Sequence, residues 1–455
     1  MTAELFANIF SSAYFLAFAY IVAGVFTISG MDDLLFDLLY LKWRLRRLFY
    51  WQAIREFTSE ALANHAEHRI AILVPCWRES NVIGRMVKRA ADSLEYQNYM
   101  LIIGVYPNDA ATIRAVGRLV KQYPKLVRMV VNPQSGPTTK ADNLNSMLNA
   151  LHRIEAKKRF RIVVLHDSED IIHPHSLRVF NYLICYLGKD MVQLPVLPLE
   201  QPAWDLVHWT YADEFAENHL RHMIAREEVG SFVPSAGVGT AYRRESLEVL
   251  QHYHQRVFHP DSLTEDYSSA IELHHRGHGT IFAIIRDRDG QVVATRSLFP
   301  HTVKAAIRQK TRWIIGIALQ GWAHHGWQGH SCVKYTLFRD RKQVLVGFAN
   351  IAGYILLIIL MAPKILRLDE SFSIPDPLWH LFIIATSMFV LRLVMRMSAV
   401  WTFYSFKHSL LVIVRYLIAN YINFMAAYLA VYKFFKLYNQ PIPWDKTAHE
   451  FPRSA

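Results

Sequence analysis

Chemistry in this chain concentrates where apolar runs end in carboxylates. The segment Ile162-Val-Val-Leu-His-Asp-Ser-Glu-Asp170 leads an apolar strand into Asp167, Glu169 and Asp170. In extended backbone, residues i and i+2 project to the same side, so Asp167 and Glu169 can converge on one cation. Oxygen donors suit Mg2+ or Mn2+, which bind through one or two carboxylates plus phosphate oxygens. The structural alternative is a solvated acidic turn ahead of Pro174.

Two further motifs carry complementary groups. Thr264-Glu265-Asp266 precedes a helical stretch. It reads either as an N-cap with favourable first-turn acids or as a general base for an acceptor hydroxyl. In Gln309-Lys-Thr-Arg-Trp313, the residues Gln309, Arg312 and Trp313 fall at i, i+3 and i+4 and form one helical face. An amide, a guanidinium and an indole there would bond hydroxyls, clamp a diphosphate and stack on a sugar ring. An amphipathic helix approaching a membrane is the alternative. Weaker candidates are Pro75, Trp77 and Glu79 after the first strand, Asp109 after the second, and Lys140 with Asp142 at a helix start. A lysine beside free backbone N–H groups is well placed for phosphate.

The elements that must position these groups alternate short apolar runs with amphipathic stretches, the pattern of a parallel-stranded α/β layer. Strands are predicted at 71–75, 101–106, 128–131, 162–166 and 191–195, with helices at 82–96, 112–123 and 141–154. In the last helix Leu144, Met147, Leu148 and Leu151 share a face. Right-handed crossovers bring the loops after these strands to one edge of the sheet.

The apolar fraction is 52%, and the excess is confined to residues 6–29 and the region after 343. Residues 6–29, 343–362 and 378–394 are long enough to span a bilayer. Residues 34–50 read as an interfacial helix. Residues 409–432 are expected to lie in the interface, because Arg415, Asn420 and Asn423 interrupt them and a mid-bilayer charge costs about 2.5–3.5 kcal/mol. This parity leaves the globular domain and the C-terminus on the cytoplasmic side, with Arg392 and Arg396 among the positive-inside markers. The division expected is 1–50 anchor, 51–330 catalytic domain, 331–435 membrane and interfacial helices, and 436–455 tail. The N-terminal stretch lacks preceding positive charge and a cleavage pattern, so a retained anchor is expected.

A net charge of +12 is accounted for by cations beside the spans, and nucleic-acid binding is not expected because no nucleic-acid motif accompanies it. Cys76, Cys185 and Cys332 form no disulfide framework and have no zinc spacing. Among the histidines, the pairs His274-His275 and His324-His325 invite a metal reading. Neighbouring histidines diverge on a helix, so neither pair is expected to share an ion.

Taken in order, the six motifs over residues 70–315 resemble the family 2 glycosyltransferases, above all the membrane-integrated polysaccharide synthases. The flanking His166-Asp-Ser-Glu-Asp170, Pro234-Ser-Ala-Gly-Val-Gly-Thr240 and Trp444-Asp-Lys-Thr-Ala-His449 are similar to the phage adsorption protein B branch. The resemblance implies an α/β GT-A fold with a mixed, mostly parallel sheet, a nucleotide-sugar donor, a glycan acceptor and Mg2+ or Mn2+. It implies that Pro75, Trp77, Glu79, Asp109, Lys140, Asp142 and Asp167 serve the donor, and Asp167 with Glu169 the metal. Asp266 would be the base beside Glu265, with Gln309, Arg312 and Trp313 on acceptor and leaving diphosphate. Gly237, Gly239 and Thr240 would line the acceptor side, and Trp444, Lys446, Thr447 and His449 would fold back toward the site. Glu169 departs from the family's second aspartate by one methylene.

The expected setting is the bacterial inner membrane, with an outer-membrane export partner. Longer relatives append a domain associated with cyclic di-GMP; for this chain, ending at Ala455, such regulation is expected only through another protein. The alternatives are transfer of a single sugar to a polyprenyl phosphate, or a scaffold role in phage adsorption.

Overall fold

Unbroken apolar runs become strands buried on both faces, and β1 (Ile70–Pro75) and β2 (Tyr99–Val105) are such runs. The computed structural model describes residues 8–10, 12–50, 58–155, 158–366, 374–436 and 451. In it β3 (Val127–Val131), β4 (Ile162–Leu165), β5 (Met191–Gln193), β7 (Thr240–Arg243) and β8 (Thr280–Phe282) complete a seven-stranded sheet. The order is β3-β2-β1-β4-β7-β5-β8. Only β7 runs antiparallel to its neighbours; the remaining pairs are parallel. A separate parallel ribbon joins β6 (Val196–Pro198) to β9 (Thr295–Ser297).

Alternate residues of β1 serve two cores. Ile70, Ile72 and Val74 pack with Ile83, Met86 and Val87 of the helix Ile83–Ser93 and with Val116 and Leu119 of the helix Ala110–Gln122. Ala71 and Leu73 face Leu144, Met147, Leu148 and Leu151 of the helix Lys140–Glu155, the helical face read from the sequence. Because β1, β2 and β4 are parallel, the loops carrying Glu79, Asp109 and Asp167 leave the same edge of the sheet.

Four helices among the described residues are long and apolar enough to cross a membrane: α1 (Ala13–Phe49), α2 (Ser331–Ile365), α3 (Asp376–Phe403) and α4 (Val412–Lys436). The stretch expected as a separate interfacial helix at 34–50 instead continues the first span as one helix. Its acidic residues have partners on neighbouring elements. Asp33 meets Arg339 at 3.0 Å and Arg392 at 3.0 Å; Asp32 pairs with Lys342, and Asp37 with Arg221.

The polar residues that argued against α4 as a span are paired too. Arg415 forks onto Asp213 at 2.7 and 2.8 Å. Asn420 donates to the Tyr354 hydroxyl at 2.7 Å, and Asn423 accepts from Lys310 at 2.9 Å. The insertion cost behind that expectation applies to an unpaired charge, and here Arg415 is wholly buried on a carboxylate. Arg392 and Arg396 likewise enter internal ion pairs rather than serving as free surface charge; Arg396 Nε lies 2.6 Å from Glu217.

Candidate active site

The strand β4 ends at Leu165, and the next residues turn sharply because one carboxylate is spent on the turn itself. Asp170 Oδ2 accepts from the Asp167 N–H and meets His166 Nδ1, both at 2.9 Å. Asp170 is therefore the structural member of the acidic cluster, and burial pushes its carboxyl up. Asp167 points elsewhere: its Oδ1 receives Lys140 Nζ at 2.7 Å. Glu169 is buried beside it and accepts from the Ser168 hydroxyl at 3.1 Å.

The Thr-Glu-Asp segment opens the helix Glu265–His275. Thr264 makes no side-chain cap, which removes the simplest structural reason for the motif. Burial pushes both the Glu265 and Asp266 carboxyls upward, and Lys140 opposes that rise. Burial alone would lower the Lys140 ammonium, but Asp167, Glu265 and Asp266 outweigh it and hold the lysine charged. Tyr267, the next residue, donates to Asp340 of α2 at 2.7 Å and ties this helix to the membrane region.

Gln309, Arg312 and Trp313 lie on the helix Val303–Ile314. Lys310, between them, faces away and meets Glu214 at 2.6 and 2.7 Å, fastening the helix to the helix Leu206–Glu217 and to α4. Trp313 packs edge-on to Tyr211, ring centroids 5.9 Å apart.

These groups line one cavity of about 540 Å³: Lys140, Asp167, Glu169, Glu265, Asp266, Gln309, Arg312 and Trp313. The loop over it is a glycine turn. Gly237 (φ +74°) and Gly239 (φ +60°) take a conformation that L side chains rarely adopt. Thr240 holds the loop through the Gln193 side chain, donating to Oε1 at 2.6 Å; Gln193 Nε2 in turn donates to the Val238 carbonyl at 3.0 Å. Gln193 was not legible in the sequence, since a lone glutamine ending a short strand carries no signal.

The remaining donor-side candidates form a separate group. Trp77 stands edge-on to Tyr106 at 5.2 Å. Asp109 accepts from the Arg78 N–H at 2.6 Å and caps its own helix through Thr112 N at 3.2 Å. Glu79, whose N–H donates to Thr112 Oγ1 at 3.0 Å, is buried. They cluster with Pro75 at the ends of β1 and β2 and do not line the 540 Å³ cavity. Asp142 also stays outside it and accepts from the Thr139 hydroxyl at 3.0 Å, within its own first turn. Trp444, Lys446, Thr447 and His449 lie outside the described residues.

The sequence reading missed the far wall. Glu214, His222, Arg226, Arg339, Asp340, Arg392 and Arg396 line the same cavity. Several of them also line a second polar cavity of about 280 Å³ that reaches Ser29, Asp33 and Asn350 among the long helices. The available signal was the charge inside apolar segments, which is retained where it faces protein or water.

Residues 68–316 match the family described as glycosyltransferase-like family 2. Bacteriophage adsorption protein B of Escherichia coli (strain K12) is 35% identical over 95% of this chain and 61% of its own length. Bacteriophage N4 adsorption protein B of Escherichia coli O157:H7 matches to the same extent. The chain thus spans about three fifths of the length of these curated relatives. Among solved structures, the mannosyltransferase PcManGT from Pyrobaculum calidifontis, in complex with GDP-Man and Mn2+, is similar at a TM-score of 0.50. It is 15% identical and covers 88% of this chain and 99% of that one, a likeness of fold: a GT-A-type sheet. With more than half of its 455 residues matched, the chain belongs to glycosyltransferase-like family 2.

Proposed function

We propose that this protein is an inverting glycosyltransferase. It would move a sugar from a nucleotide donor, UDP-N-acetylhexosamine in first place, to a growing polysaccharide at the bacterial inner membrane. Asp266 takes the proton of the acceptor hydroxyl as that oxygen attacks the anomeric carbon and the bond to the diphosphate breaks. Arg312 receives the departing negative charge, a contribution of several kcal/mol for a preorganised cation. Gln309 and Trp313 orient the acceptor sugar.

Asp167 and Glu169 would hold Mg2+ or Mn2+, which when bound neutralises diphosphate charge. The fit rests on donor chemistry. Both are carboxylates lining the cavity, Asp167 already takes a cationic ammonium, and Asp170 is committed to the turn. The solved relative in complex with Mn2+ and GDP-Man is in keeping with this reading.

The observation that carries the proposal is the convergence of Asp167, Glu169, Asp266 and Arg312 on one cavity. The polar cavity that continues from it between the long helices supports a glycan leaving toward the membrane. Phe451 is buried in the core of the catalytic domain, with the Arg85 guanidinium 5.5 Å from its ring centre. That contact supports a tail on the same, cytoplasmic, side as the domain, with two of the three long helices α2, α3 and α4 crossing and the third lying in the interface. The Escherichia coli relatives are named for phage adsorption, which suits a surface glycan as product.

A panel of nucleotide sugars with Mg2+ or Mn2+, read as release of UDP or GDP from the purified protein, tests the reading. One donor should turn over and chelation should stop it; no turnover with any donor would count against it.

A second reading has its own observation. An apolar cavity of about 1080 Å³ lined by Val22, Phe26, Leu356 and Phe382 adjoins the polar one through Asp33 and Arg392. It would suit the chain of a polyprenyl phosphate acceptor, in which case the product carries one sugar rather than many. A scaffold role would survive only if an Asp167→Ala, Asp266→Ala double variant kept the full phenotype.

A further inference from the structure

A histidine cluster away from the cavity has the chemistry of a second, different metal site. His254 ends the helix Arg244–His254, His259 follows it in a loop, Glu272 and His275 stand on the helix Glu265–His275, and His325 ends the helix Gly321–His325. One donor atom from each of His254, His259 and Glu272 lies within 4.8 Å of the others. His325 Nδ1 is 3.4 Å from Glu272 Oε1, and His254 Nε2 is 3.1 Å from Glu272 Oε2.

The adjacent pairs 274–275 and 324–325 diverge, as helix geometry requires. His274 turns toward His330, ring centroids 6.0 Å apart, and His324 is exposed. The fold instead brings one member of each pair to Glu272. Among the described residues, Nε2 of His275 and Nε2 of His325 are buried without a hydrogen-bond partner. A buried imidazole nitrogen without a partner costs free energy, and His325 turns its other nitrogen, Nδ1, to Glu272.

A guanidinium lies among these donors. Arg276 Nη2 lies 2.9 Å from His254 Nε2, and Nη1 pairs with Glu272. Arg276 also packs over the Tyr253 ring, Cζ 4.7 Å from the centroid, where it can remain once displaced. A tetrahedral ion with bonds of about 2.1 Å needs donors about 3.4 Å apart; no donor pair of the triad is more than 4.8 Å apart, within reach of side-chain rotation.

We propose that His254, His259 and Glu272 bind a borderline divalent cation, Zn2+ in first place, as a clamp between the helix Arg244–His254 and the helix bearing Asp266, with His325 held against Glu272. Mixed imidazole and carboxylate donors suit zinc, whereas the all-oxygen pair Asp167 and Glu169 suits Mg2+ or Mn2+. The other candidate triad, Asp205, His208 and His301, fails this test. Both nitrogens of His208 are taken by main chain, Nδ1 by the Phe299 N–H at 3.3 Å and Nε2 by the Leu199 carbonyl at 2.7 Å.

The test uses the tag-free full chain, stripped with chelator and titrated with Zn2+ in excess Mg2+, with bound zinc counted after desalting. About one zinc per chain and a raised unfolding temperature are expected. His254→Asn with His259→Asn should weaken zinc by more than about tenfold, Asp167→Asn should retain it, and Arg276→Gln should bind more tightly because its competing cation is gone. No zinc after desalting, zinc kept by the double variant, or zinc lost in Asp167→Asn would overturn the proposal. If the double variant does not fold, Arg276→Gln decides: tighter binding supports the clamp, and unchanged or weaker binding refutes it.

Discussion

Gly237 lies directly over the carboxylate of Asp266: a Cβ on Gly237 would stand 2.5 Å from Asp266 Oδ2. The backbone there is left-handed, which costs an L residue about 1–2 kcal/mol. Gly237→Ala should therefore push the loop or the carboxylate aside. A shift on the order of 1 Å at a reacting group lowers turnover about 10²-fold, so kcat should fall by about that factor while donor affinity changes little. Steady-state kinetics with a separate donor-binding titration check this; an unchanged kcat would show that the close approach has no part in catalysis.

How much of this was legible depends on where the information lies along the chain. The strands at 70–75, 99–105 and 162–165 are continuous apolar runs and could be read directly. In the second half of the sheet the strand read at 191–195 became β5, but β8, with three residues, is too short for periodicity, and β7 reverses direction through a long-range pairing. Lys140, Asp167, Asp266 and Arg312 were legible because each follows a strand or opens or faces a helix. Asp109 and Asp142 also satisfy local capping needs, a role their spacing in the sequence did not reveal. The ion pairs of α1, α3 and α4 were not legible because the partners, such as Asp213 for Arg415, stand far away in sequence.

The acidic limb of the pH profile should report Asp266. Burial raises its carboxyl above the ordinary value of 3.8, and a base works only when deprotonated, so the rate falls as pH drops through that raised value. Lys140 pulls the carboxyl down. In Lys140→Met that pull is gone, the carboxyl rises further, and the acidic limb should move to higher pH. A limb that stays or moves lower would separate Lys140 from the base.

Arg415 is wholly buried on Asp213. Arg415→Met leaves Asp213 buried and unpaired, which should cost about 3–5 kcal/mol and lower the unfolding temperature in detergent. Adding Asp213→Asn removes the orphaned charge and should recover part of the loss. A double variant no more stable than Arg415→Met would mean that the pair is not the source.

Chelation and refilling separate the two metal chemistries. Removal of Mg2+ or Mn2+ should abolish transfer without lowering the unfolding temperature by more than about 2–4 °C, since carboxylates on a cavity wall hold little of the fold. A collapse of the fold on chelation in zinc-free buffer would assign the cation a structural role.

The account turns on one carboxylate acting as base toward an acceptor bound beside Trp313. The direct measurement is sugar transfer by Asp266→Asn alongside its affinity for the donor. Transfer should fall by at least about 10²–10⁴-fold with donor affinity nearly unchanged. Transfer at the wild-type rate would contradict the assignment.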